Sequence, residues 1–275
     1  MSASSAGYVH GYQAAEARRL HDQATALEDL IHGGTVYNAG STVLEVGCGV
    51  GAQTVALARL HPKARITAID ISTASLAQAR MRVSEAGLTN VDFLQSDIHA
   101  LPFGPSSFDH VFVCFVLEHL PDPVRALALL KPLLRPGGTL TVVEGDHGSA
   151  YFHPDSEPAR AAIGCLVELQ RRRGGDALIG RRLYPLLRQT GFASVSVEPR
   201  QVYVDGSRPD LAEMFTRNTF AAMVAGIGEA AIAEGLIEPA RLAAGVDALH
   251  RASEADAVFC YTFFKAMAAQ GGDPS

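Results

Sequence analysis

Between residues 42 and 145 the apolar pattern switches repeatedly between two periods. Short runs dense in aliphatic and β-branched residues, TVLEV (42–46), ARITAID (64–70), VDFLQSD (91–97), FDHVFVCFV (108–116) and TLTVVEG (139–145), read as strands. Helical patterns over 52–60, 73–87 and 122–134 separate them. Strands that alternate with helices need crossover connections, so the spacing predicts a parallel sheet with helices on both faces. Turn chemistry marks the borders: Pro62 precedes the second strand, Gly87 and Asn90 the third, and RPGG (135–138) the fifth.

Upstream, Ala15, Leu20, Ala24, Leu27, Leu30 and Ile31 form the apolar stripe of an amphipathic helix over 12–32. Downstream, helices are predicted near 156–172 and 179–190, a strand over 192–204, helices across 208–250 and a last strand over 258–267. The expected organisation is therefore an N-terminal helical cap (1–40), a sheet domain (41–207 with 251–275) and a helical insertion (208–250) packed on it as a lid or dimer surface.

Composition narrows the class. With 275 residues, 48% of them hydrophobic, the chain can bury a full core. A net charge of −6 gives no general attraction to phosphate backbones and argues against a nucleic-acid partner. Residues 1–12 lack a basic cluster followed by an apolar run, and no apolar stretch approaches the roughly 18 residues of a membrane span, which predicts a cytoplasmic protein. The cysteines Cys48, Cys114, Cys165 and Cys260 are far apart and form no C-x-x-C pair, so neither a disulfide nor a zinc cage is expected. One stretch departs from the acidic balance: RRRGGDALIGRRLYPLLR (171–188) sets six arginines against Asp176, either as a solvated helix face or as a patch that steers an anionic substrate.

The chemistry sits where strands end. VLEVGCGVGAQT (43–54) turns from strand to helix through Gly47, Gly49 and Gly51, a conformationally costly set whose backbone can lie close to a ligand at a helix N-terminus. Asp70 ends the second strand about twenty residues on, where a carboxylate can accept both hydroxyls of a ribose. Asp97 ends the third and can accept the exocyclic amine of a purine, while Cys114, Phe115, Val116 and Leu117 close the fourth as an apolar wall. GCGVGA alone also fits a dinucleotide fingerprint, which keeps a nicotinamide-dependent oxidoreductase and a non-catalytic cofactor-fold binder open.

The set LEVGCGVG, AIDIS, SDIHALPF, FVLEHLPDP and LLRPGGTL resembles the class I S-adenosylmethionine-dependent methyltransferases, particularly the branch of ubiquinone and menaquinone biosynthesis, over about 43–145. The resemblance implies a Rossmann-like α/β fold with a seven-stranded, mostly parallel sheet, an antiparallel last strand, and S-adenosylmethionine as cofactor with S-adenosylhomocysteine as product. Carried onto this chain, Glu45 positions the turn near the methionine ammonium, and Gly47, Cys48, Gly49 and Gln53 lie against the cofactor. Asp70 and Ile71 hold ribose and flank adenine; Asp97 and Ile98 meet the adenine amine and face; Cys114 to Leu117 and His119 line the methionine side. Tyr12, Arg19 and Gln23, repeating along the first helix, are aimed at the methionine carboxylate.

A sulfonium methyl needs an aligned nucleophile and, for a hydroxyl or acidic carbon, a base. In VVEGDHGSAYFHPDSE (142–157) the expected base is His147, backed by Glu144 or Asp146; a divalent metal on Asp146, His147 and His153 is the less favoured alternative. Tyr151, Phe152, Tyr203, Phe215, Phe220, Tyr261 and Phe263 are the expected walls of an apolar pocket for a small-molecule acceptor, with a homodimer possible.

Overall fold

The computed structural model describes residues 27–271. Its sheet has the strands β1 (Thr42–Val46), β2 (Arg65–Asp70), β3 (Val91–Gln95), β4 (Phe108–Cys114), β5 (Leu134–Gly145), β6 (Tyr151–His153), β7 (Ser194–Asp205) and β8 (Val258–Ala269). The order is β3-β2-β1-β4-β5-β8-β6, with β7 also paired to β8. The first five strands are parallel, as the alternating periods require. β8 runs antiparallel to β5 and to β7. The sheet thus has eight strands where seven were expected, because a three-residue strand, β6, pairs with the start of β8 after β5 has ended at Gly145. That segment, YFH, is too short to stand out in the sequence.

Helices α1 (Glu28–His32), α2 (Ala52–Leu60), α3 (Thr73–Glu85), α4 (Pro123–Leu130), α5 (Glu157–Arg172) and α6 (Leu183–Gln189) follow the predicted periods. Several carry the caps that the sequence supplies: Ser72 accepts from Ser75 N–H, Asp122 from Arg125 N–H and Ser156 from Ala159 N–H, satisfying otherwise orphaned donors. Two apolar clusters sandwich the sheet. One joins Val43, Phe112 and Val143 to α1, α2, α5 and the insertion; the other joins Leu44, Val113 and Val142 to α4 and α6.

Helical pieces connect β7 to β8, including a π-helix over Ala212–Ala221 and a helix α7 (Pro239–Arg251). α7 approaches α5 closely at Gly245, where a Cβ would stand 2.6 Å from the Pro158 carbonyl oxygen. The insertion starts and ends at one place, since Asp205 and Val258 are cross-strand partners. Its Phe215 and Phe220 lie against Phe259 and Tyr261 of β8, with ring centroids 4.9 to 6.1 Å apart.

Two cations tie α1 to the far end of the sheet. Lys265 Nζ donates to the Gly33 carbonyl at 3.0 Å and to Thr35 Oγ1, and Arg200 donates to the same Gly33 carbonyl. Burial and then the nearby Arg200 push the Lys265 ammonium down to about 8.

The arginine-rich stretch is not a free basic patch. Arg171 and Arg172 pair with Glu168, Arg182 with Asp176, and Arg181 with Asp146. Among the described residues no helix is long and apolar enough to cross a membrane.

Two of the three turn glycines answer to packing. At Gly51 (φ 80°), the left-handed residue before α2, a Cβ would lie 2.8 Å from the Ala79 Cα, so α3 can rest on the turn only if that position is bare. Gly51→Ala therefore combines a left-handed alanine with a backbone overlap and should cost about 3 kcal/mol in urea unfolding. A loss below about 0.5 kcal/mol would refute that packing requirement.

Candidate functional site

The C-terminal ends of β1, β2, β4 and β5 converge at one end of the sheet, the place where chain order reverses between β1 and β4. The glycine turn folds onto β2: Gly47 N–H and Cys48 N–H both donate to the Ile69 carbonyl, at 2.8 and 2.9 Å. Asp70 then secures it, accepting from Gly49 N–H at Oδ2 and Ser72 N–H at Oδ1, both at 2.8 Å. Burial raises the Asp70 carboxyl while those amides oppose the rise. A Cβ on Gly47 would collide with Val116 Cγ2 at 2.5 Å, whereas a Cβ on Gly49 would meet nothing within 4 Å. Gly49 is therefore the one member of the trio that faces open space among the described residues.

Glu45 sits behind this turn, 2% exposed, with Oε2 lacking a hydrogen-bond partner among the described residues. Burial pushes it up to about 7, with Thr54 opposing and the Asp70 charge adding to the rise. Gln53 is held by a residue that sequence reasoning missed. Its Oε1 lies 2.9 Å from Nε2 of His32, which is buried and stacked on Phe112. Burial lowers the His32 imidazole to about 4, so it is a neutral partner at physiological pH. Its only sequence signal is its place at the end of the first amphipathic stripe.

At the next strand end, Asp97 Oδ1 accepts from His99 N–H at 2.8 Å, and Ile98 is buried while Ile71 is 49% exposed. Burial, with Glu144 next, pushes the Cys114 thiol up. Phe115 adopts φ 58°, a left-handed conformation that a bulky residue rarely takes, and this turns Val116 back onto Gly47. Burial likewise pushes the Cys48 thiol up, so both cysteines act as packing groups.

Glu144 and Asp146 do not stand behind His147. The Glu144 carboxylate is fully buried, and Oε1 accepts from Val116 N–H at 3.0 Å and Leu117 N–H at 2.7 Å. It braces the β4 loop. Asp146 is held bidentately by Arg181, Nε to Oδ2 at 2.6 Å and Nη2 to Oδ1 at 2.8 Å, and also accepts from Gly148 N–H. The partners of His147 come from elsewhere: Tyr261 Oη at 2.8 Å from Nδ1, and Glu118 Oε2 at 3.6 Å from Nε2. His119 lies on the other side of the same carboxylate, Nε2 to Oε1 at 3.7 Å. With Asp146 committed to Arg181, the alternative metal set is not assembled, and among the described residues no cluster of three or more metal-ligating side chains occurs.

The arginine-rich stretch acts here as a clasp. Asp176 N–H donates to the Glu118 carbonyl and His147 N–H to the Ala177 carbonyl, at 2.8 and 2.9 Å. Gly175 and Gly180 allow this approach, since a Cβ would stand 2.4 Å from the Glu118 oxygen at the first and 2.7 Å from the Gly145 oxygen at the second. Of the expected aromatic walls, Phe215, Phe220, Tyr261 and Phe263 cluster together beside His147. Phe152 is buried in the same core, but Tyr151 and Tyr203 are exposed at the flanks of Cys260 and do not join the cluster. Tyr12, Arg19 and Gln23 lie outside the described residues.

Residues 44–142 match the family model described as a methyltransferase domain. An uncharacterised 37.1 kDa protein of a Streptomyces fradiae transposon is 36% identical over 190 residues, covering 68% of this chain and 54% of that one. A demethylmenaquinone methyltransferase of Listeria monocytogenes is 34% identical over 106 residues, 38% of this chain and 45% of that one. The chain thus spans about half the length of these curated relatives. The crystal structure of the [4+2]-cyclase SpnF superimposes with a TM-score of 0.58 at 25% identity, covering 92% of this chain and 82% of that one. Phosphoethanolamine N-methyltransferase 2 of Haemonchus contortus, solved with S-adenosylhomocysteine, gives a TM-score of 0.56 at 20% identity and covers 92% and 53%.

The buried acid of the turn makes a signed prediction. A folded value of about 7 against an ordinary 4.5 means that Glu45 favours the fold fully below pH 4.5 and loses that contribution as pH rises towards 7. Without ligand, Glu45→Gln should therefore gain about 3 kcal/mol relative to the parent between pH 4 and pH 8 in chemical unfolding. A difference that stays flat across this range would overturn the assignment.

Proposed function

With the premise that this chain carries a class I S-adenosylmethionine-dependent methyltransferase domain, we propose that it transfers a methyl group to a small-molecule acceptor. The observation that carries the reading is the turn itself: among the described residues, an open Gly49, an Asp70 carboxylate already fixed by two amides, and a buried Glu45 with one oxygen unpartnered, all at one strand-end crevice.

These residues fit the group. Each Asp70 oxygen has a second lone-pair site after accepting one amide, which leaves two acceptors for a ribose diol. Glu45 Oε2, unpartnered among the described residues, suits an ammonium, whose charge would also draw the carboxyl back to its ionised form. Ile71 and Ile98 offer apolar surface for adenine, with Asp97 beside them for its amine. Gly47, Cys48 and Gln53 border the turn, and Cys114, Phe115, Val116 and His119 border the methionine side. When bound, the sulfonium supplies an electrophilic methyl carbon, and the protein's part is to hold an acceptor in line with it and exclude water.

His147 is the proton acceptor in this reading. It lies just past the end of β5, next to the braced β4 loop, with Nδ1 hydrogen-bonded to Tyr261 and Nε2 facing the Glu118 carboxylate. The aromatic cluster of Phe215, Phe220 and Phe263 beside it favours an acceptor with an apolar body. One structural relative is named as a [4+2]-cyclase, so bound cofactor alone does not establish methyl transfer, and label from the methyl group has to be found in a product.

Calorimetry with S-adenosylhomocysteine tests the premise of the site. The parent chain should bind, and Asp70→Ala should weaken binding at least about tenfold, the loss of one good polar anchor. Equal affinities would remove Asp70 from the site; no binding by either protein would remove the cofactor reading altogether.

A further inference from the structure

Behind the proposed methyl site lies an ordered polar line that the roles above do not use up. Tyr261, His147, Glu118 and Gln170 are each at most 7% exposed and come from four separate parts of the chain: β8, the end of β5, the loop after β4, and α5. Their contacts run in sequence. Tyr261 Oη is 2.8 Å from His147 Nδ1, His147 Nε2 is 3.6 Å from Glu118 Oε2, and Gln170 Nε2 donates to both the Glu118 carboxylate and its carbonyl, at 3.2 and 2.9 Å.

The backbone is shaped to seat the first member. A Cβ on Gly145 would stand 2.3 Å from Tyr261 Oη, so the phenol reaches His147 only because residue 145 has no side chain. Gly175 lets the clasp close on Glu118 in the same way. Bare positions at both ends of one buried polar line are hard to explain by core packing alone, since an apolar core would not need to seat a hydroxyl and a carboxylate.

The contacts also fix the proton positions. Burial, and then the charges of Glu118, Asp146 and Glu144, push the Tyr261 phenol well above its ordinary range, so it stays protonated and serves as the donor to Nδ1. The neutral imidazole then carries its own proton on Nε2, facing the Glu118 carboxylate. This is the logic of a hydroxyl, an imidazole and an orienting carboxylate, met here with a phenol in first place. The one basic lone pair of the neutral ring, on Nδ1, is thus the one that the phenol engages, so a proton from an acceptor reaches it through the phenol oxygen. The Asp146 amide faces that oxygen, and a second lone pair remains.

We propose that Tyr261, His147 and Glu118 form a proton line in which Tyr261 touches the acceptor, and that the acceptor is consequently a hydroxyl compound, a phenol or alcohol, rather than an amine or thioether. This deepens the methyltransferase reading and rests on it. In the step, the acceptor O–H bond breaks and its proton bonds to Tyr261 Oη as the phenol's own proton passes to His147 Nδ1. The acceptor oxygen keeps the electron pair of that bond and shares it with the methyl carbon, while the thioether product retains the carbon–sulfur pair. His147 ends as an imidazolium opposite Glu118, and Tyr261 carries no net charge before or after. Glu118 and Gln170 are positioning residues. The charged and titratable groups around the ring are Glu118 and His119 from the loop after β4, Glu144 and Asp146 from the end of β5, Arg181 on Asp146, and Tyr261 from β8.

The test is a pH titration of the full chain labelled with 15N-histidine, with and without S-adenosylhomocysteine, assigning His147 from a His147→Gln spectrum. The neutral ring of the parent should show Nδ1 as the unprotonated nitrogen. Glu118→Gln should lower the imidazolium midpoint by about one pH unit, and Tyr261→Phe should abolish the fixed tautomer. An Nδ1–H tautomer in the parent, or an unmoved midpoint and tautomer in both variants, would overturn the line. Should Tyr261→Phe fail to fold, Glu118→Gln still decides. A panel of phenols, alcohols, amines and thioethers with methyl-labelled cofactor tests the acceptor class: label in hydroxyl compounds supports it, and label confined to amines or thioethers overturns it. Failure to bind S-adenosylhomocysteine would instead refute the cofactor reading, leaving the histidine titration to judge the line by itself.

Discussion

The carboxylate of Glu144 is the brace on which this end of the molecule depends. It is buried with no ion pair among the described residues, and burial together with the neighbouring Glu118 holds its carboxyl well above the usual range. What retains it is a pair of backbone donors, Val116 and Leu117. Burying a carboxyl group is costly unless its oxygens find donors, and hydrogen bonds from two fixed amides offset that cost. The result reaches far beyond one side chain. The β4 loop is drawn onto β5, Phe115 is forced into its left-handed turn, Val116 is pressed onto Gly47, and the glycine turn is in turn anchored to β2 through Ile69 and Asp70. Four strand ends are thereby locked into one geometry.

Much of this was legible in the sequence, and the division between what was and was not has a physical basis. The strands and helices of residues 42–145 follow local periods, and the turn and its acids follow from short spacings. The roles of Glu144 and Asp146 did not follow. As neighbours of a histidine in EGDH they invite the reading of an acid and its base, yet the strand ends between them and each finds its partner elsewhere, one in backbone amides and the other in Arg181. Tyr261 and Glu118 are separated from His147 by 114 and 29 residues, and no pattern along the chain links them. Gly145, Gly175 and Gly180 were unreadable for a related reason: each is bare because of an atom brought in from a distant segment. The arginine-rich stretch looked one-sided because Asp146 lies outside it.

Two halves of the crevice are built by different means. On the side of β1 and β2, backbone amides and carboxylates present small, fixed polar groups, suited to one invariant ligand. On the side of β5 and β8, an aromatic cluster surrounds a buried polar line, and its cover is supplied by the π-helical Ala212–Ala221. A π-helix is a rare form of backbone that is frequent at functional sites. Here it sets Phe215 and Phe220 over the aromatic residues of β8.

The way that cover is attached carries a consequence for how such a molecule can change. Asp205 and Val258 face each other across the β7 and β8 ladder, so the excursion between them leaves the sheet and returns at a single rung. Lengthening, shortening or replacing it would leave the register of every strand intact, because nothing in the ladder measures what hangs from its end. The half built on β1 and β2 and the half covered by this excursion are therefore free to diversify at separate rates, with the hairpin serving as a splice point at which one chassis can accept many heads.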